Sequence, residues 1–510
     1  MPQDQPRPRR AAPEGAGELT EPLSEDARPS GRRLAWNTLY SGLGEASNLL
    51  LFLLGFLAAR YLAPTSFGEY STAFAFVGLF RILPDFGMSY AATLEISRDR
   101  SRAETLLGRL LGFQCVLSAV ALALCLTLGR RYYTGVTWIA VLVLSFDLVL
   151  KAWKSTLRWL LKSLERFGTE AASLVAERVL LLSLGTASLL AGNGVVGFVA
   201  VFALVRLADT AALHVYVHSR VARLALRFDP RVWWDLLRRG LPYAYAGLMI
   251  TLFFQVDAVM LERMRGPEEV GFYRAPVLVL EGLTLIPRVL GYALIPTMAA
   301  VHAHAPAVVT ALYGRGTKYL LLAGLPIGAF GLLAAGPFVT WLFGPGYANS
   351  AHAARILLPA AAFMFLSNFG ETTLACVNRW GAIVVVSTVA LLLNVALNLA
   401  WIPAFGYVGA AWATLLTEGS YFLLTAAALA RYGHRIAWPS LLARPLAAVA
   451  AFAGALWLCR GLPPFAAAAV ASTVFAAATV ALGVWDEKES RVVREILRGE
   501  RPSARTLASN

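Results

Sequence analysis

The chain has 510 residues, 58% of them hydrophobic and 15% charged, with a mean hydropathy of +0.61. Soluble domains carry about 25% charged residues, so this composition excludes a soluble enzyme. The net charge of +14 is not a nucleic-acid signal, because the basic residues are sorted by loop.

Residues 1–33 are rich in Pro, Arg, Glu and Gly and have almost no large apolar side chains. They cannot bury a core and are expected to be a disordered cytoplasmic tail. No secretory signal is expected, since Leu34 opens an apolar run of full membrane-spanning length. Runs of about 20 apolar residues, the length that crosses a bilayer as a helix, then follow one another. The first six (34–60, 69–95, 106–128, 134–160, 170–191 and 195–218) are expected to form an N-terminal six-helix bundle over 34–219. The segment 220–239 mixes arginines with Val, Leu and the pair Trp233-Trp234. It reads as an amphipathic basic linker on the membrane surface. Six more runs (240–262, 271–300, 316–340, 351–376, 380–402 and 406–430) are expected to form a C-terminal bundle over 240–432. Two Ala-rich runs, 443–460 and 463–485, sit within 433–485 and have no earlier counterpart; 486–510 is a charged cytoplasmic tail.

The two bundles read as repeats. Pro64-x-x-x-Gly68-x-Tyr70 and its downstream Pro84 return as Pro267-x-x-x-Gly271-x-Tyr273 and Pro287, all at an offset of 203. Later matches, Arg166-x-Gly168 with Arg379-x-Gly381 and Gly194-x-x-Gly197 with Gly406-x-x-Gly409, fall at 213 and 212. Equal numbers of spans in unchanged orientation imply parallel repeats. The fold class is therefore an all-α polytopic membrane protein with about 14 transmembrane helices: two six-helix bundles plus two extra C-terminal helices.

With both termini inside, the outside loops hold only Arg60, Arg130, Arg131, Arg263, Arg265, Arg274, Arg355 and Arg460 of the 45 Lys and Arg. That asymmetry is the positive-inside rule and implies a multi-pass protein of the inner (cytoplasmic) membrane. The four cysteines lie in apolar runs without metal spacing, and no cofactor or metal site is expected. Gly192-Asn-Gly194-Val-Val-Gly197 joins two membrane helices rather than a strand and a helix, so it is no dinucleotide site. Asp85-Phe86-Gly87 matches the kinase metal-binding triplet but has none of its companion motifs.

The informative residues are charges at membrane depth. They are Glu45, Arg81, Asp85, Asp147, Glu177, Arg178, Arg206, Asp209, Asp257, Glu281, Arg288, Glu371 and Glu418. Each would cost roughly 2.5–3.5 kcal/mol facing lipid, so each pairs or faces a hydrated cavity. Spacing pairs Arg81 with Asp85 and Arg206 with Asp209, and puts Glu281 and Arg288 on one face. Arginines at depth in several helices point to a cavity for an anion. Asn394 and Asn398 lie one turn apart, where helix packing is the default role.

Fourteen spans in a 6+6+2 arrangement resemble the polysaccharide flippases of the multidrug/oligosaccharidyl-lipid/polysaccharide exporter superfamily. So do the turn Leu62-Ala63-Pro64-x-x-x-Gly68-x-Tyr70, the helix ending Asp85-Phe86-Gly87-Met88, and the echo Gly266-Pro267-x-x-x-Gly271-x-Tyr273. The resemblance implies two bundles that alternate between inward and outward openings around a cationic cavity. That cavity takes the diphosphate and sugars of a polyprenyl-diphosphate-linked glycan while the tail stays among membrane lipids. It points to Arg81, Asp85, Glu281 and Arg288 as substrate-binding residues; the charge at depth adds Arg206 to them as a partner for the diphosphate, and Arg288→Ala is expected to abolish export. Asp209, Asp257, Glu371 and Glu418 are candidates for coupling to H⁺ or Na⁺. Glycan polymerase and export machinery are the expected protein partners, and no enzymatic activity is expected. A lipid II flippase or a multidrug/cation exporter is the alternative. Lipid II flippases of the superfamily carry several arginines in the first span, where this chain has Glu45 and no arginine before Arg60.

Overall fold

A computed structural model describes residues 36–98, apart from 37, 38, 41 and 45, and residues 103–486. The two expected tails and Glu45 lie outside the described residues, Asp486 excepted. Every element of regular structure among the described residues is helical.

The apolar runs become helices whose ends are set by proline and glycine. The first span runs Gly42–Tyr61, and we call its regular part, Asn48–Tyr61, α1. Pro64 opens α2 (Pro64–Leu79) at the first helical turn, where its missing N–H costs nothing. The chain then leaves the helix around the buried Pro84, passes through positive φ at Phe86 and Gly87, and re-enters as α3 (Met88–Arg98). Next come α4 (Ala103–Tyr132), α5 (Gly135–Ser163), α6 (Phe167–Leu190) and α7 (Gly194–Arg220). Residues 222–229 form no regular element, and the Arg227 N–H donates to the Gly108 carbonyl of α4 at 2.9 Å. α8 begins at Pro230 and continues to Arg265. The basic segment expected on the membrane surface is thus a strap across α4 followed by the first turns of a spanning helix, with Trp233 stacked on Phe113 and Trp234 exposed.

The second copy of the motif opens α9 (Pro267–Leu283), which passes through a single-residue kink at Thr284 into α10 (Leu285–Val301). The two copies differ here: the first is interrupted over several residues, the second only bent. α11 (Pro306–Phe343), α12 (Ser350–Cys376) and α13 (Trp380–Arg431) follow, and α14 (Trp438–Leu458) and α15 (Pro464–Ala481) close the fold.

Twelve described helices are long and apolar enough to cross a membrane. One of them, α13, would be about 78 Å long if straight, far beyond a bilayer core of about 30 Å. Gly406 breaks it with φ 57° and ψ −137°. Tyr421 then packs back on Val386 and Ala390, so α13 is a hairpin of two crossings. The interrupted pair α2–α3 supplies one more. The described chain therefore crosses fourteen times, as expected, and is a multi-pass membrane protein.

The main contact between the halves is α2 on α9. A large apolar cluster runs through it, joining Leu54, Phe76 and Phe198 of the first half to Ala275, Val339 and Phe343 of the second. The pair α14–α15 packs against α11 through Phe452, Leu456 and Ala467, at the edge of the second half. Loops alternate between two faces. One, here the turn face, carries the connections at 62–63, 133–134, 191–193, 266, 344–349 and 406. The other, the basic face, carries the strap and the connections at 164–166, 302–305, 377–379 and 432–437.

Candidate functional site

The first half holds a cavity of about 360 Å³ whose walls carry cations from four segments of the chain. Arg81 comes from the interruption between α2 and α3, Arg178 from α6 and Arg206 from α7. The rest come from α5, where Asp147, Lys151, Lys154, Arg158 and Lys162 are spaced by three or four residues. That spacing puts them along one face of the helix, from membrane depth towards the basic face.

The carboxylates sit between these cations. Asp147 accepts a close hydrogen bond from Arg206, with the Arg81 guanidinium 3.7 Å away. Glu177, only 2% exposed, is ringed by Lys154 at 2.9 Å, Arg158 at 2.8 Å and Arg178 at 3.1 Å. Asp209 takes Arg158 at 2.9 Å, Lys154 at 3.4 Å and the Ser173 hydroxyl at 2.7 Å. Lys162 reaches Glu170 at 3.5 Å nearer the basic face. Arg81 also lies over the Phe74 ring, 4.4 Å from its centroid.

The count does not balance. Seven cations (Arg81, Lys151, Lys154, Arg158, Lys162, Arg178, Arg206) face four carboxylates (Asp147, Glu170, Glu177, Asp209). Lys151 has no carboxylate within 4 Å among the described residues, and its side chain is open to the cavity. The Nε atoms of Arg81, Arg158, Arg178 and Arg206 are buried without a hydrogen-bond acceptor. The surplus of positive charge on this wall suits an anion with many oxygens.

The intrahelical pairings expected from spacing are not formed. Arg81 turns to Asp147 instead of Asp85, and Arg206 to Asp147 instead of Asp209. Residues 80–87 leave the helix, so Arg81 and Asp85 do not share a helical turn. With the helix interrupted, Asp85 sits at the start of α3 and accepts from the Ser89 N–H at 3.2 Å, from the Ser89 hydroxyl and from Gln114 Nε2 at 2.6 Å. Thr156 closes this neutral network through Gln114 and Ser89. Glu281 does not pair with Arg288 either; it binds Arg274 at 3.1 Å, two turns earlier in α9. Arg288 is exposed on α10 and lines neither polar cavity. Of the five expected substrate residues, the fold brings only Arg81 and Arg206 together. Sequence reading passed over Lys151, Lys154 and Arg158, whose signal was their helical spacing from Asp147 within an apolar run.

The second half holds a smaller polar pocket of about 30 Å³ lined by Asp257, Tyr273, Arg274, Glu281, Asn394, Thr414 and Glu418. Asp257 accepts from Tyr273 at 2.8 Å, Thr414 at 3.4 Å and Asn398 at 2.8 Å. The Oδ1 of Asn398 is buried without a partner. Nearby, Ser367 donates to Glu418 at 3.1 Å and Tyr421 to Glu371 at 2.7 Å. None of Asp257, Glu371 and Glu418 has a basic partner within 4 Å among the described residues. Asp209 differs from these three, because it is already bound by two cations. Among the described residues no group of His, Cys, Asp and Glu has the geometry of a metal centre. A third cavity, of about 590 Å³ between α11, α12, the second arm of α13 and α14, is apolar throughout.

Among solved structures, the fold matches a lipid II flippase MurJ in an inward closed conformation, with a TM-score of 0.72 at 11% identity over 90% of this chain and 100% of that one. It also matches an inward-facing multidrug resistance MATE family transporter of the MOP superfamily, with a TM-score of 0.60 at 14% identity over 77% of this chain and 96% of that one. A third is the MATE multidrug transporter DinF-BH, with a TM-score of 0.56 at 16% identity over 81% of this chain and 97% of that one. No functionally curated protein matches the sequence. The sequence model of the family described as polysaccharide biosynthesis protein matches residues 34–302, more than half of the chain. With the fold of the MOP-superfamily transporters and flippases, this chain belongs to the polysaccharide biosynthesis protein family.

Proposed function

We propose that the protein is a flippase that moves a polyprenyl-diphosphate-linked oligosaccharide across the cytoplasmic membrane by alternating access, for extracellular polysaccharide or O-antigen synthesis. The carrying observation is the first-half cavity, with three more cations than carboxylates. A diphosphate presents several anionic oxygens. Hydrogen bonds from guanidinium and ammonium groups to such oxygens are about twice as strong as neutral ones. Lys151, Arg81 and Arg206 are placed to neutralise the headgroup at depth, and the α5 ladder offers the path to it from the basic face. That face is taken as cytoplasmic, with both termini on the same side, by the positive-inside rule. The lipid tail stays in the bilayer, and rocking of the halves carries the headgroup across. No covalent change is made to the lipid-linked glycan. Glycan polymerase and export machinery are the natural recipients of the product.

Asp257, Glu371 and Glu418 support coupling to H⁺ or Na⁺ in the second half, since buried carboxylates served only by neutral donors favour a cation. The same acids favour the second reading, export of a cationic amphiphile. Reconstitution into proteoliposomes decides between them. Labelled polyprenyl-diphosphate glycan is expected to be translocated by the parent and not by Arg81→Ala. Transport of a cationic dye but not of the glycan would overturn the first reading.

A further inference from the structure

The repeated motif Pro-x-x-x-Gly-x-Tyr lines neither polar cavity beyond Tyr273. Its proline and glycine meet instead at the contact between the halves. A Cβ on Gly68 would overlap the Pro267 carbonyl oxygen and also sit 3.0 Å from the Gly271 nitrogen; a Cβ on Gly271 would overlap the Pro64 carbonyl oxygen. Each glycine thus rests on the proline carbonyl of the other copy. Both are buried helical residues without positive φ, so nothing in their own backbone conformation calls for glycine. The requirement comes from the opposite helix, whose backbone approaches closely only because no side chain intervenes. Polar bonds gather round the same contact on the turn face. The Tyr347 hydroxyl donates to the Leu62 carbonyl at 3.0 Å, and Arg60 donates to the Trp341 and Leu342 carbonyls at 2.7 and 3.0 Å.

A second glycine contact closes the basic face. A Cβ on Gly240 of α8 would overlap the Phe86 carbonyl oxygen, and one on Gly87 would lie 2.6 Å from the Gly240 oxygen. Tyr90 packs on Tyr243 at 4.5 Å, and Arg239 binds Glu95 at 2.8 Å beside it. The halves therefore touch backbone to backbone at both ends of the molecule.

We propose that Gly68–Gly271 and Gly87–Gly240 are the two gates of the transport cycle, each a glycine-on-carbonyl seal, and that the structure captures the state with both shut. The duplicated motif is then a self-complementary latch: one duplication supplied both sides of the turn-face gate. A methyl group at either gate shifts the protein towards opening on that face alone. This rests on the alternating-access reading but not on the identity of the substrate.

Spin-label distances in the full-length protein test it without any glycan. The four native cysteines are replaced by alanine. Thr134→Cys with Ala348→Cys then reports the turn face, and Ser219→Cys with Ala303→Cys the basic face; all four labelled positions are exposed. Gly68→Ala and Gly271→Ala are each expected to move most of the turn-face distribution to longer distance and leave the basic-face pair short. Gly240→Ala is expected to do the reverse. Gly247→Ala, whose Cβ meets only the flexible end of Ile82, is expected to give a smaller shift in the direction of Gly240→Ala. Gly336→Ala, with nothing within 4 Å, is expected to change neither pair. Two turn-face variants are available, so loss of one from the membrane leaves the other to decide. An unchanged turn-face distance in the variant that folds, or the same shift from Gly240→Ala, overturns the proposal. Failure of the glycan assay with these shifts intact would remove the substrate and leave the gates.

Discussion

The two halves share a scaffold and carry opposite charge at matching positions. At the offset of 213 that relates Arg166 to Arg379, Arg158 of α5 corresponds to Glu371 of α12. At the offset of 212 that relates Gly194 to Gly406, Arg206 of α7 corresponds to Glu418 of α13, and Asp209 to Tyr421. The contacts correspond as well: Arg158 bonds Asp209 in the first half, and Tyr421 bonds Glu371 in the second. One helix–helix seam, copied, therefore holds cations on one side of the molecule and acids on the other. Charges buried at bilayer depth are costly, so each half keeps its own only by supplying counter-groups. The first half supplies an ion network with surplus cations; the second supplies hydroxyls and amides. The lesson is that the repeat keeps the geometry of the seam while leaving its sign free to diverge.

Substitutions can break that comparison. The largest effect is expected from Arg206→Ala, which removes the close partner of Asp147. Taking one member from a buried ion pair costs about 3–5 kcal/mol, read as a lower unfolding temperature in detergent together with loss of glycan transport. A variant as stable as the parent would mean that the first-half network does not hold the bundle. Glu418→Gln keeps the Ser367 bond and removes the charge. It is expected to abolish the response of transport to an imposed H⁺ or Na⁺ gradient while leaving affinity for the diphosphate lipid unchanged. An equal loss of affinity would erase the division of labour between the halves. Lys151→Ala touches no carboxylate partner, so stability should change by less than about 0.5 kcal/mol. Hydrogen bonds to charged groups contribute about 1.5–3 kcal/mol, so affinity for a polyprenyl diphosphate is expected to fall tenfold or more.

Tyr273→Phe removes one of three neutral donors from Asp257. About 1–3 kcal/mol of stability is expected to go with it, measured as a shift in the denaturation midpoint, with first-half ligand binding untouched. The smallest effect is expected for Arg288→Ala. The sequence pattern made Arg288 a prime candidate, but its exposed position outside both polar cavities predicts near-parental transport. Complete loss of export in Arg288→Ala would bring α10 back into the binding wall.

Much of the architecture was legible in the residue order. The lengths of the apolar runs, the prolines opening α2 and α9, and the glycine that folds α13 in two all act locally. A bilayer leaves a chain few choices besides crossing as a helix. The presence of charge at depth was legible for the same reason, because a charge inside an apolar run stands out. Which charges meet was not. Spacing favoured Arg81 with Asp85, but residues 80–87 leave the helix, so Asp85 accepts from Ser89 at the start of α3 and Arg81 turns to Asp147. The cations of α5 lie in its second half, and because α5 continues to Ser163 it turns them towards the cavity.

By itself the amino-acid sequence determined the number of crossings, the duplication and the expected sorting of positive charge, since these depend on length, apolarity and position along one dimension. Only the tertiary structure decided that Arg81, Arg206 and the α5 ladder share a chamber, that the carboxylates of the second half stand apart from it, and that the repeated glycines face each other. Those outcomes depend on how each helix is rotated and where it is interrupted. Packing against neighbours sets both, and the local spacing of side chains carries no record of it.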